Sequence, residues 1–164
     1  THCVFWDNGL NTIQANGCNP NIRFCCVEGG YAGEGNIDDD PLFANPSGPD
    51  TIDGTIDDNL QLRIDSPCID AGNNYLLPTD FADLDDDGRL GDEPLPIDAA
   101  LNTRQIDVPQ VIDSGYSYFP GAAVVDMGAY EYQVPSPIEG DLDHDGDVDI
   151  ADFSIFSENW LTGV

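Results

Sequence analysis

The sequence predicts a mainly β fold, and three observations carry that prediction. Residues 1–43 are short apolar runs (HCVFWDNG, TIQANG, NIRFCCVEGG, NIDDDPLF) broken by Asn-Gly, Gly-Gly and Asn-Pro, with no helical period. Such runs read as strands of about 4–6 residues joined by tight polar turns. Next, CVFWDN at 3–8 and CCVEGG at 25–30 align at a spacing of 22 residues. That is the length of one coil of a parallel β-solenoid, whose stacked rungs bury a shared core, although two strands of a sandwich would give the same echo. Finally, helical period occurs only near the C-terminus. Ile150, Phe153, Phe156, Trp160 and Leu161 fall on one stripe of a helix.

The elements follow in order. Residues 1–133 are expected to hold the rungs and a capping region. From 44 onward this stretch is loop-rich, with strand islands NLQLRIDSPCIDAGN at 59–73 and AVVDMGAYEYQ at 123–133. Residues 134–140, VPSPIEG, form a Pro/Ser/Gly linker. Residues 141–164 are a loop followed by the helix.

Charge narrows the partners. The 164 residues hold 4 Lys+Arg, all arginine, against 32 Asp+Glu, for a formal net charge of −28. No basic patch can be built from Arg23, Arg63, Arg89 and Arg104, so a nucleic-acid grip is excluded and anionic membrane surfaces are disfavoured. Membrane insertion is not expected either, because no run approaches the ~20 apolar residues of a span. A hydrophobic fraction of 40% is enough for a core. Six acids are glutamates and 26 are aspartates. Short carboxylates with turn propensity are what calcium loops use, and they are equally what a solvated acidic surface uses. Five cysteines (Cys3, Cys18, Cys25, Cys26, Cys68) leave at least one without a partner in the chain, and their spacing fits no zinc site. By the 22-residue alignment Cys3 and Cys25 lie one rung apart, placed to stack as thiols or to pair. Cys68 reads as a small buried hydrophobe. With neither a start methionine nor a secretory leader, Thr1 is read as the start of a processed or excised piece.

One loop carries explicit metal chemistry. Asp141, Asp143, Asp145, Asp147, Asp149 and Asp152 occupy positions 1, 3, 5, 7, 9 and 12 of a loop with Gly146 at position 6. Calcium takes 6–8 oxygens, and alternate residues of a tight loop converge on one ion. The glycine makes the sharp turn, position 7 offers its carbonyl, and position 12 closes the shell. A second loop has the same D-x-D-x-D-G head in Asp83, Asp85, Asp87 and Gly88. Its twelfth position is Pro94, so Asp92 or Glu93 would have to complete the shell. The clusters Asp38–Asp40 and Asp50, Asp53, Asp57, Asp58 read as solvated turns.

Two resemblances extend this reading. The ordered runs NIDDDPLF, LQLRIDSPCIDAGN, DLDDDG and VVDMGAYEYQ resemble the C-terminal end of secreted bacterial right-handed parallel β-helix proteins, over about residues 1–133. That resemblance implies terminal β-helix rungs with an end-closing, irregular acidic cap, and it implies no activity. Residues 140–162 resemble a type I dockerin repeat, with Asp rather than Glu at position 12 and Val148 at position 8. A dockerin has two such EF-hand-like repeats packed together, and this chain has one, so the Phe/Trp stripe needs another surface.

No catalytic constellation emerges. A polysaccharide lyase wants a Lys, Arg or His base among cations, and lysine is absent. Among 26 aspartates a hydrolase-like carboxylate pair would arise by chance. His2 reads as a strand residue and His144 as a variable loop position. The expectation is therefore a non-catalytic, calcium-binding, extracellular or cell-surface structural or anchoring module. Its expected partners are upstream β-helix rungs or neighbouring copies arranged head to tail in a filament, with polysaccharide a further candidate. The alternatives are the C-terminal end of a carbohydrate-active β-helix enzyme and a glycan-binding adhesin.

Overall fold

The computed structural model describes residues 1–9, 13, 17–84, 86, 88, 91, 94–134, 150, 153, 154 and 157. The chain divides into two compact units, Thr1–Gln133 and Val134–Val164. The first is mainly β, built from small strands and one short 3₁₀ turn at Asn74–Leu76. No helix among the described residues is long and apolar enough to cross a membrane.

Strand β1 (Val4–Phe5) pairs in parallel with β2 (Cys26–Val27), in the register Val4 to Cys26 and Phe5 to Val27. This is the 22-residue offset of the sequence echo. The ladder continues on the far side of β2, where Cys26 bridges Ile37 in parallel. Cys26 N and Glu28 N donate to Cys3 O and Phe5 O, while Val27 N donates to Ile37 O and Ile37 N to Cys25 O. Residues 24–28 are thus held from both edges. The second step is only 11 residues, half the first, because glycines at 29, 30, 33 and 35 let the chain double back at once. At Gly35, with φ +68°, a Cβ would lie 2.4 Å from the Phe24 ring, so only glycine fits that turn. Phe24 itself takes φ 52° while its side chain is buried. A left-handed conformation at a bulky residue costs about 1–3 kcal/mol, opposed here by ring burial and an edge-to-face contact with Tyr116 at 5.4 Å.

Two sequence expectations fail here. Strands of 4–6 residues shorten to between 2 and 4; apart from the parallel ladder, β3 (Phe43–Asn45) pairs with β4 (Asn59–Leu62) antiparallel. The intervening loop 46–58 reverses the chain through its own turns: Gly48 N donates to Asn45 O, and Asp58 Oδ2 accepts from Gly54 N and Thr55 N. The island at 123–133 forms no strand, although Val124, Val125 and Met127 are fully buried. Its amides divide between side chains, with Val125 N on Asn74 Oδ1 and Asp126 N on Glu131 Oε2, and single carbonyls, with Met127 N on Cys68 O and Gly128 N on His2 O.

The core gathers Phe24, Cys26, Leu62, Cys68, Ile69, Ala71, Val108 and Met127. All five cysteines are free thiols. Cys3 and Cys25 adjoin across the ladder, with Cys3 N 3.5 Å from Cys25 Sγ, and Cys68 is buried as its setting in SPCIDAGN suggests. In the second unit Ile150, Phe153, Ser154 and Ser157 are helical, and Ser154 Oγ donates to Ile150 O at 3.0 Å. The linker 135–140 and Phe156, Trp160 and Leu161 of the expected stripe lie outside the described residues.

His2, two residues before β1, fastens the start of the chain to Asn73. Its Nε2 lies 3.0 Å from both Asn73 N and Asn73 O, so it accepts from the amide in one neutral tautomer and donates to the carbonyl in the other. Burial above all, opposed by the bond to the Asn73 backbone and assisted by the N-terminal charge and Arg104, holds its pKa down from 6.5 to about 4. Because the folded-state value is the lower one, stability from the neutral ring is complete above pH 6.5 and is lost as pH falls toward 4. His2→Gln keeps an acceptor but does not titrate. The free-energy difference between protein and variant, measured by urea unfolding, should shrink by up to about 1.4 kcal/mol per pH unit across that window. A pH-independent difference would show that the ring is not held neutral.

Candidate metal centre

Five acids of the first unit are buried: Asp70, Asp80, Asp98, Asp126 and Glu131. Buried carboxylates must be satisfied by donors, and here the donors are backbone amides. Glu131 N donates to Asp98 Oδ2 at 3.1 Å, Asp126 N to Glu131 Oε2 at 3.1 Å, and Asp70 N to Asp126 Oδ1 at 2.8 Å. Each acid in this series therefore holds the backbone of the next. The remaining oxygens take further loop amides: Asp98 Oδ1 from Ala100 and Asn102, Glu131 Oε1 from Ile106, and Asp126 Oδ2 from Tyr132. Loops at 98–106, 126–132 and 70 are knitted together without a sheet.

Burial pushes these groups toward their neutral forms. It raises Asp126 to about 8, with the Glu131 charge adding to the effect. It also raises Glu131, against opposition from the amides of Ile106 and Asp126 and from Arg104. Asp70 rises to about 7, chiefly by burial and further through Asp113, Asp107 and Glu131.

Asp70 ends the series, and its surroundings differ. One of its carboxylate oxygens lies within 4.8 Å of an oxygen from each of Asp107 and Asp113, both exposed. Like charges at this spacing repel by about 1 kcal/mol per pair in water and about 3 kcal/mol at an effective dielectric near 20. Neither ion pair found among the described residues, Arg23–Glu34 at 3.9 Å and Arg63–Asp65 at 3.3 Å, relieves them. The main chain holds the three together. Val108 N reaches Asp70 Oδ2 at 3.4 Å, and Ser114 N and Gly115 N both donate to Asp70 O at 3.0 Å. Residues 107 and 113 are thus fixed through the residues that follow them.

No family model, no curated protein and no solved structure matches this chain. The sequence-predicted ligands fare unevenly. Asp141, Asp143, Asp145, Asp147, Asp149 and Asp152 lie outside the described residues, as do Asp85, Asp87, Asp92 and Glu93. Asp83 is described: its Oδ1 accepts Gly88 N at 3.0 Å and its carbonyl accepts Asp86 N, closing a turn around the head of that loop. Nearby Asp80, not singled out from sequence, accepts Ala82 N and Leu84 N. The clusters read as solvated turns hold their own backbones. Asp40 accepts Leu42 N, Asp50 accepts Ile52 N, and Thr55 Oγ1 donates to Asp57. Sequence reasoning missed Asp107 and Asp113 because neither belongs to a D-x-D run. Asp70 lies within SPCIDAGN, and Asp126 and Glu131 within VVDMGAYEYQ, runs that mark the fold without naming the partners of single side chains.

The series predicts a specific weakness. Asp126→Asn puts an amide NH₂ against one of two backbone N–H donors, so a buried donor loses its acceptor. Denaturant unfolding at pH 9, above the Asp126 value of about 8 so that the carboxylate is ionised, should show a loss of about 1–3 kcal/mol. An unchanged midpoint would mean that the two amides find other partners.

Proposed function

We propose that the chain is a non-catalytic, calcium-stabilised structural or anchoring module of an extracellular or cell-surface protein. In this reading residues 1–133 are the last rungs and acidic cap of a right-handed parallel β-helix, and residues 141–164 are a single dockerin-like calcium repeat. The observation that carries it is the parallel ladder through residues 2–5, 24–28 and 34–37, whose first step has the 22-residue offset of the sequence echo. Such a ladder propagates by adding strands, which suits joining to further rungs or to neighbouring copies in a head-to-tail array. Four of the five buried acids favour a structural role too, since Asp80, Asp98, Asp126 and Glu131 hold backbone amides with both oxygens.

Calcium enters through the loop at 141–152 and through charge. A chain at −28 repels itself, and each bound divalent ion both neutralises carboxylates and adds its binding free energy to folding. One site filled at 100 times its Kd contributes about 2.7 kcal/mol, or about 5–10 °C in Tm for a chain of this size. Differential scanning fluorimetry at low salt should show that loss when EDTA replaces calcium, and Asp143→Asn with Asp145→Asn should remove most of it. A Tm indifferent to chelation would overturn the calcium part of the reading. A protein that stays monomeric in calcium by light scattering, at concentrations that saturate the sites, would overturn assembly between copies.

One observation favours the glycan-binding alternative. A cleft of about 690 Å³ is lined by Trp6, Asp7, Asn8, Asp53, Asp58 and Arg63 among others. An indole face beside carboxylates and an amide is the chemistry that stacks on a sugar ring and bonds its hydroxyls. Binding to a soluble polysaccharide that is abolished by Asp53→Ala would move the assignment to that reading.

A further inference from the structure

We propose that Asp70, Asp107 and Asp113 form a binding site for a hard divalent cation of the calcium or magnesium class. It would lie in the first unit and stand independently of the aspartate loops read from the sequence. Three carboxylate oxygens lie within 4.8 Å of one another, the largest separation that two oxygens bound to one calcium at about 2.4 Å can have.

An acidic cluster alone says little, but Asp70 supplies a second observation. Its side chain is fully buried, yet Oδ1 has no hydrogen-bond partner, and Oδ2 receives a single long bond from Val108 N at 3.4 Å. Asp80, Asp98, Asp126 and Glu131, the other buried acids, each have both oxygens engaged by amides. An unpartnered buried carboxylate oxygen calls for a ligand, and here it belongs to the side chain that meets two further carboxylates. The donor set is oxygen only, which selects a hard ion over zinc or copper. Exposure of Asp107 and Asp113 leaves the outer side of the ion open to water, which would complete the shell. The cation would tie the loop at 107–113 to SPCIDAGN, adding to the bonds from Val108 N to Asp70 Oδ2 and from Ser114 N and Gly115 N to Asp70 O.

The test uses the full chain stripped of metal, with bound calcium and magnesium counted by equilibrium dialysis and atomic absorption. Asp107→Asn with Asp113→Asn alters two exposed side chains, so the fold should persist, and far-UV circular dichroism confirms that. We expect this variant to bind one equivalent less than the unsubstituted chain and to lose part of the cation-induced rise in Tm. The variant Asp143→Asn with Asp145→Asn should keep that equivalent. Magnesium filling the site in place of calcium supports the proposal and identifies the ion. Unchanged stoichiometry and an unchanged Tm rise in the Asp107/Asp113 variant would overturn it, and would leave the loop at 141–152 untouched as a separate question.

Discussion

The fold of the first unit depends on one interaction, the acceptance of backbone N–H groups by buried carboxylates. A sheet satisfies its amides by pairing strands, and this chain has strands of two to four residues only. Beyond Leu62 no further strand forms among the described residues. Loops that pass through the interior must still satisfy their amides. The sequence places Asp98, Glu131, Asp126 and Asp70 where those amides are, so the side chains provide what a ladder would provide elsewhere. Bonds to charged acceptors are roughly twice as strong as neutral ones, which makes this arrangement able to hold irregular backbone. Burial opposes it by favouring the protonated forms, and the raised pKa values of Asp70 and Asp126 express that opposition.

How much of this was legible depended on range. The 22-residue echo was readable because a stacked ladder repeats its pattern along the chain, and Val4 pairs with Cys26 as the alignment requires. The half-length second step was not, because four closely spaced glycines set it and no periodicity marks it. The antiparallel excursion of β3 and β4 was hidden for a similar reason: loop 46–58 reverses direction through Asp-to-amide turns that read only as polar sequence. The candidate cation centre was the least legible part. Asp70 and Asp126 are 56 positions apart, and Asp107 and Asp113 join Asp70 only because Val108, Ser114 and Gly115 bond to it. No local spacing encodes such a meeting.

The preference for aspartate over glutamate also has a structural basis. Asp40, Asp50, Asp80 and Asp98 each accept the amide two residues downstream, the reach that a one-methylene carboxylate has and a glutamate overshoots. Calcium loops exploit the same short reach. Composition therefore points to carboxylate-organised loops first, and to metal only where carboxylates converge. Glutamate appears where distance is needed: Glu131 spans from Asp126 N to Ile106 N and links two separate loops.

The choice between carboxylate and amide side chains sharpens the meaning of Asp70. Asn74 is as deeply buried as the acids, but it faces one donor and one acceptor, taking Val125 N on Oδ1 and giving Nδ2 to Ala123 O. An amide side chain suits that environment, and a carboxylate suits one made of donors only. Asp80, Asp98 and Asp126 obey this rule, each meeting amides on both oxygens. Asp70 has the side chain for a donor-only environment and a single distant donor in it. An asparagine there would bring its own donors and be at ease beside Asp107 and Asp113. A carboxylate beside two more is at ease only when protonated, as the rise of Asp70 to about 7 expresses, or with positive charge among them. The 4 arginines are too few to supply it across 32 acids, and neither ion pair among the described residues involves this cluster. The proposed cation would supply the positive charge that neither of those ion pairs brings to this cluster.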